Sequence, residues 1–383
     1  MSALRLVLMA GEASGDVLGA DLARALKRRR PDIQLAGLSG PNMQAAGVQP
    51  WFNIDELSVM GLTEVLKHLP RLIKLRRRIK QRILDWPADA LITIDAPDFN
   101  LGLARQLKKE GVPTIHYVSP SVWAWRAGRI PKIARSLDRL LTLFPFEPEL
   151  YAPYGLKTDF VGHPLADELS AGRDPASART LLGLGHSTRV IALLPGSRNG
   201  ELMRHVALLG ETALRLRDRY PESDLLMLLS GESQRTLATQ LLGPLAEQAG
   251  IRLLSCQTRA GLEAADMAIA ASGTVTLEAF LLECPMTVFY RLAPTTFHMA
   301  RTLKLVRSRH VSLPNILSSR ELVPERLQQA ATPTVLAADA EAWLSDPERV
   351  KAYRDQARHW RARLAQGAGE RAAEYILQSL PGA

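Results

Sequence analysis

Cysteine is almost missing from this chain: Cys256 and Cys284 are the whole complement among 383 residues. Neither belongs to a Cys-x-x-Cys pair or a Cys/His cluster, which excludes a disulfide framework and a zinc site and fits a reducing compartment. Aromatic residues are scarce, at 5%. No apolar run approaches the length of a transmembrane helix. The short apolar start lacks a basic n-region followed by a long h-region, so it reads as a first strand and not as a signal peptide. Cofactor signatures are missing too. No Gly-x-Gly-x-x-Gly follows a strand, so a nicotinamide site has no fingerprint, and the absence of Gly-x-x-x-x-Gly-Lys-Ser/Thr removes P-loop nucleotidases. No Asp-x-Asp occurs anywhere, which argues against a divalent metal bridging a nucleotide diphosphate. No cofactor and no metal are expected.

What is present is a soluble composition, 46% hydrophobic and 23% charged, in a chain too long for a single small core, so two domains are the natural reading. The net charge is +9 with a pI near 9.7, which invites an anionic partner. The excess is local. Between residues 67 and 84 lie Lys67, Arg71, Lys74, Arg76, Arg77, Arg78, Lys80 and Arg82 with no acid among them. Leu72, Leu75, Ile79 and Ile83 share one helical face, so the segment is a basic amphipathic helix that packs on the core through that face. Just upstream stand Trp51, Phe52, Leu57, Val59, Met60 and Leu62. Apolar surface beside a polybasic helix is what an anchor on anionic lipid needs, and segment 51–84, with Val59, Met60, Leu62, Arg76, Arg77 and Arg78, is the expected membrane contact. No motif for nucleic acid accompanies the charge.

Apolar runs alternate with helical patterns in the rhythm of a doubly wound parallel sheet. Strands fall at 4–9, 33–37, 90–94, 114–118 and 139–143, with helices at 15–30, 67–84, 101–110 and 129–136. The pattern restarts with strands at 190–194, 224–229, 251–254, 267–270 and 286–290. Two Rossmann-like α/β domains with an interdomain cleft are expected. Their bounds are 1–165 and 188–338, with a linker at 166–187 and C-terminal helices at 339–383 that cross back to the first domain.

The residues that carry chemistry cluster at strand ends. The run Leu91-Ile92-Thr93-Ile94 stops at Asp95-Ala96-Pro97-Asp98-Phe99-Asn100. Ligands collect outside the carboxyl ends of parallel strands, and two carboxylates placed there, stiffened by Pro97, suit a base or a hydroxyl clamp. A plainer reading makes Asp98 or Asn100 a helix cap. Three Gly-rich turns could hold phosphate: residues 10–16 after the first strand, Leu194-Pro195-Gly196-Ser197-Arg198, and Ala271-Ser272-Gly273-Thr274. Arg198 is a fixed cation there. Glu278, one helical turn further on, is placed to accept ribose hydroxyls; its plainer role is to stabilise its own helix dipole. His116 reads equally as a ligand contact or a hydrogen-bonded structural histidine, His163 reads as structural, and Trp123 and Trp125 as core packing or acyl-chain contact.

AGEASGDVLGA, IDAPDFN, HYVSPSVWAWR, VGHPL, LLPGSR, ASGTVTLE and VSLPNIL, in this order and spacing, together resemble the lipid-A-disaccharide synthase family. The resemblance implies the two-domain GT-B fold and an inverting glycosyltransferase. Such an enzyme joins UDP-2,3-diacylglucosamine to the 6-hydroxyl of 2,3-diacylglucosamine 1-phosphate, releasing UDP, as a peripheral protein on the cytosolic face of a Gram-negative inner membrane. On that basis Gly196, Ser197, Arg198, Ser272, Gly273, Thr274 and Glu278 bind UDP, and Asn315 orients the donor. Ser14, Gly15, Asn100 and His116 contact the acceptor. Asp95 is the general base, with Asp98 or Glu12 in reserve. A homodimer stays open. The alternatives are another UDP-sugar-dependent GT-B transferase, a UDP-sugar epimerase or, more remotely, a basic membrane- or nucleic-acid-binding module.

Overall fold

The computed structural model describes residues 3–57, 62–123, 127–292 and 309–380, and only the backbone of 62–69. Chain contacts divide it into two compact units, Met1–Asp167 with Leu364–Ala383, and Glu168–Arg363.

The first unit is built on a 7-stranded sheet in the order β3-β2-β1-β4-β5-β6-β7. The strands are β1 (Arg5–Ala10), β2 (Gln34–Ser39), β3 (Gln49–Asn53), β4 (Ala90–Ile94), β5 (Thr114–Tyr117), β6 (Arg139–Thr142) and β7 (Lys157–Phe160). Every pair is parallel. Parallel strands are covered on both faces by their crossover helices, which is why β4 is buried at every position. The strand order reverses between β1 and β4, and their ends lie in register, Ala10 beside Ile94.

The second unit repeats the plan with a 6-stranded sheet, β10-β9-β8-β11-β12-β13. Here the strands are β8 (Val190–Leu194), β9 (Asp224–Leu229), β10 (Ile251–Ser255), β11 (Met267–Ala271), β12 (Met286–Tyr290) and β13 (Glu325–Leu327). They too are all parallel, and the order reverses between β8 and β11.

The basic helix runs Leu62–Asp85, starting earlier than its charge run. Leu75, Ile79 and Ile83 are buried on its inner face, as their spacing requires. Segment 166–187, read from sequence as a linker, carries the helix Pro175–Leu182, N-capped by the Asp174 side chain and ended by Gly183. At the C-terminus, the helix Ala368–Leu377 packs on the helix Ala13–Arg29 within the first unit. Ion pairs from Arg28 and Arg29 to Glu370, at 2.6 and 3.0 Å, hold it there.

Candidate active site

Both strand-order reversals carry the turns singled out in the sequence. In the first unit these are the turns after β1 and β4. They press together so closely that a Cβ on Gly11 would lie 2.0 Å from the Cβ of Ala96. Asp95 and Ala96 both take the left-handed conformation, with φ of 51° and 42°. Non-glycine residues hold such angles only where their surroundings dictate them, at a cost of roughly 1–3 kcal/mol each. Asn100 does the dictating. Its side-chain amide donates to the carbonyls of Asp95 at 2.8 Å and Ile94 at 3.3 Å, while the Asp95 N–H donates to the Tyr117 carbonyl at 3.0 Å. The backbone is thus fixed and the Asp95 carboxylate left half-buried, with no hydrogen bond or ion pair among the described residues. Asp98 differs. It is exposed, and its carboxylate is paired with Arg129, which withdraws it from use as a base. Glu12 is exposed at the N-cap of the first helix without capping it through its side chain.

Several expected acceptor contacts prove to be internal supports. Asn100 is fully buried, with its Nδ2 spent on the turn it holds and its Oδ1 without a partner among the described residues. Gly15 is buried against Ile94 and Ala10. His116 lies inside β5, fully buried, with Nδ1 at 2.7 Å from the Thr93 hydroxyl. Burial pushes its pKa down to about 4, so it is a neutral core histidine. Ser14 alone of the four is exposed. His163 is likewise neutral, its pKa lowered by burial to about 4, and its Nδ1 accepts the Leu165 N–H at 3.2 Å.

The same edge holds a group that sequence reasoning missed. Glu147 is 2% exposed, and its carboxylate accepts the Phe144 N–H at 3.0 Å and the Trp123 indole N–H at 3.3 Å. Burial pushes its pKa up to about 7 against those donors. The only sequence signal was an acid between the apolar residues of Phe144-Pro145-Phe146 and Leu150-Tyr151.

In the second unit, the turns after β8 and β11 end neighbouring strands, with Leu194 beside Ala270. Gly196 has φ of 107°, and a Cβ there would meet Glu201 Oε2 at 2.4 Å. Glu201 explains the crowding. Its carboxylate turns back to accept the Ser197 and Arg198 N–H groups at 2.9 and 3.2 Å, and the Tyr290 hydroxyl at 2.8 Å. Burial works to raise its pKa, but these donors outweigh it and hold the carboxyl below its ordinary value. With the turn secured by Glu201, the Arg198 side chain is 84% exposed, its one ion pair among the described residues a loose 3.8 Å contact to Glu201.

Gly273 and Thr274 are exposed, whereas the Ser272 hydroxyl donates to the Val311 carbonyl at 2.9 Å and ties the two loops together. Asn315 corrects its expectation. It is fully buried; its amide donates to the Val323 carbonyl and Glu325, and its carbonyl accepts the Leu322 and Val323 N–H groups. Every polar atom of its side chain is used within the loop, so it supports the site and does not face a ligand. Glu278 is half-buried, its pKa raised by burial, and its carboxylate has no hydrogen bond among the described residues.

The basic helix sorts its arginines by face. Arg76 lies over the Phe99 ring at 4.8 Å and donates to the Asp98 carbonyl at 3.4 Å. Burial lowers its pKa, so it faces the protein and is not an outward cation. Arg78 and Arg82 cover Phe52 and Trp51 at 5.2 and 5.3 Å, which removes those rings from the exposed apolar surface. Val59 and Met60, and the side chain of Leu62, lie outside the described residues. Among the described residues no helix is long and apolar enough to cross a membrane.

The family described as Lipid-A-disaccharide synthetase matches residues 6–379. The chain belongs to the lipid-A-disaccharide synthase family. A lipid-A-disaccharide synthase of Xanthomonas campestris pv. campestris (strain 8004) is 45% identical over 381 residues, covering 99% of this chain and 87% of the relative. That of Xylella fastidiosa (strain 9a5c) is 44% identical, covering 100% and 99%. This is accordingly a glycosyltransferase that forms the lipid A disaccharide. Solved structures show the fold alone. UDP-GlcNAc 2-epimerase from Neisseria meningitidis superposes with a TM-score of 0.67 at 12% identity, covering 98% of this chain and 100% of that one. A glycosyltransferase from Rickettsia africae gives 0.59 at 11%, covering 99% and 98%.

Proposed function

We propose that this lipid-A-disaccharide synthase family member transfers 2,3-diacylglucosamine from UDP-2,3-diacylglucosamine to the 6-hydroxyl of 2,3-diacylglucosamine 1-phosphate, with inversion. The acceptor oxygen bonds to the anomeric carbon as the bond from that carbon to the diphosphate oxygen breaks. The acceptor proton goes to Asp95 and the electron pair leaves with UDP. One observation carries the assignment of the base: of the three acids at the β1 and β4 ends, Asp95 is held by its backbone in a strained turn while its carboxylate stays unpaired. A carboxylate suits a hydroxyl that becomes acidic only as its new bond forms.

On the donor side, the exposed Arg198 meets the diphosphate, with Gly196, Ser197, Gly273 and Thr274 lining the approach. The unsatisfied carboxylate of Glu278 accepts the ribose hydroxyls. No metal is needed in this scheme, because a guanidinium neutralises the leaving group. Both substrates carry acyl chains, and the outward face of the basic helix, with Arg71, Lys74 and Arg77 exposed, brings the protein to the anionic cytosolic surface of the inner membrane.

The test is Asp95→Asn. Turnover of the two lipid substrates should fall about 10²–10⁴-fold, the range for a positioned general base, while UDP binding measured by calorimetry stays at the wild-type value. Turnover within a few-fold of wild type would move the base elsewhere.

A further inference from the structure

Glu147 poses a physical problem that the reaction scheme leaves open. Its carboxyl is 2% exposed, and no cation pairs with it among the described residues. Burying a carboxyl without a charge partner is unfavourable, and an apolar side chain of the same size would pack there more cheaply. The position therefore needs a reason beyond packing.

The surrounding bonds supply one. Glu147 opens the helix Glu147–Tyr151 and reaches back to the Phe144 N–H and the Trp123 indole N–H. Ser119 lies close beside this carboxylate. The Ser119 hydroxyl lies 2.9 Å from that of Tyr151, which is itself fully buried. Ser119 directly follows Val118, whose φ of 79° is the most positive among the non-glycine residues of the described chain. A β-branched side chain is the type that tolerates this conformation least, so something must hold it. The preceding residue, Tyr117, offers its carbonyl to the Asp95 N–H. The polar cluster therefore reaches the Asp95 turn through two peptide links and one hydrogen bond.

Trp123 is the other half of the arrangement. Its only polar atom is turned inward to Glu147, and its ring packs edge-on against Phe144 and Phe146 at 6.4 and 5.8 Å. Those two rings are stacked on each other at 5.8 Å. Trp123 and Phe146 stay half-exposed, so the cluster presents an apolar wall at the ends of β5 and β6.

We infer that Glu147, with Ser119 and Tyr151, is a positioning residue for the acceptor edge of the first unit: it locks the Val118–Ser119 turn and the Trp123 wall in the arrangement that fixes the Asp95 backbone. The inference rests on the reading that this edge receives the acceptor. Glu147 touches no reacting atom; it acts through Trp123 and the turn.

The experiment uses the full-length protein with both lipid substrates in mixed micelles and separates the two KM values from kcat. Glu147→Leu removes both acceptor oxygens, Glu147→Gln keeps one, and Tyr151→Phe removes only the hydroxyl. Glu147→Leu should lower kcat at least tenfold and raise the acceptor KM, with the donor KM and the UDP-induced thermal shift unchanged. Glu147→Gln should recover part of the loss, and Tyr151→Phe, which preserves packing, should show a milder form of the same acceptor-side defect. Equal changes in both KM values, or a lowered melting temperature with kcat within twofold of wild type, would overturn the inference. Should Glu147→Leu fail to fold, Tyr151→Phe and Glu147→Gln decide by the same criterion. Failure of Asp95→Asn to slow turnover would displace the base but leave the acceptor-side split of these variants to be judged on its own.

Discussion

At the scale of single residues, polar side chains in the motifs divide into those that meet ligand and those that hold the loop, and only the structure separates them. Arg198 belongs to the first kind. Arg198→Ala should weaken UDP binding about tenfold to a hundredfold, the worth of one charge-assisted contact, and Arg198→Lys should recover only part of it because an ammonium lacks the guanidinium fork. Titration calorimetry checks both. Glu147 belongs to the second kind and leaves a signature in stability. Its folded pKa of about 7 stands above the ordinary 4.5. The stability it contributes is thus full below pH 4.5 and declines as pH rises, until it is lost once pH passes 7. The decline amounts to about 3 kcal/mol at 1.36 kcal/mol per unit. Tyr151 is the titratable group beside it, and Arg129 faces Tyr151 in turn. Glu147→Gln should flatten the dependence of the urea midpoint between pH 5 and pH 8. The sequence made the turns legible because glycine, proline and acid at a strand end have few other uses. It hid the division of labour. Asn100, Asn315 and His116 are as polar on paper as Arg198, and whether an amide bonds to backbone or to ligand depends on a turn whose angles the sequence does not print.

At the scale of elements, the long parallel strands were readable because burial on both faces makes them continuous apolar runs. β3 and β13 were not. The first opens on Gln49-Pro50 and has only Trp51 and Phe52 before Asn53, and the second is only 3 residues long, so neither carries a long apolar run or a clean alternation. The basic helix shows why a charge run is not a surface. Arg76 stands one helical turn from Leu72 and from Ile79, so it shares their inward stripe and lies on Phe99. Lys74 and Arg77 point outward with Ile73, which is 41% exposed. Reversing Arg71, Lys74 and Arg77 to Glu should reduce binding to phosphatidylglycerol vesicles on the order of a hundredfold or more, each basic residue near such a surface contributing ~1 kcal/mol, with the melting temperature unchanged. Arg76→Ala should leave vesicle flotation as it is and cost about 1 kcal/mol of stability through lost stacking. Equal flotation of the triple variant and wild type would remove this helix from the membrane contact.

At the scale of the whole molecule, the chain leaves the first unit at Asp167 and re-enters it at Leu364. The returning helix does more than cover a surface. Arg139, 3% exposed in β6, pairs with Asp159 at 2.6 Å and donates to the Tyr375 carbonyl at 2.6 Å. Ala372, Ala373 and Ile376 are buried with it. Deleting Leu364–Ala383 leaves Asp159 in place but removes two of that arginine's three hydrogen-bond partners, Tyr375 and Ser379, each bond to a charged group being worth about 1.5–3 kcal/mol. Calorimetry should show the first unit melting well below its normal temperature while the transition of the second unit keeps its midpoint. There is a consequence for biosynthesis. The ribosome delivers residues in order, at about 5–20 per second. The seven strands of the first sheet are therefore made well before the segment that seals them, with the 196 residues of Glu168–Arg363 translated in between. For roughly 10–40 s at that rate the nascent first unit carries an open apolar flank along the helix Ala13–Arg29, a delay during which chaperones, not native contacts, must keep it from aggregating.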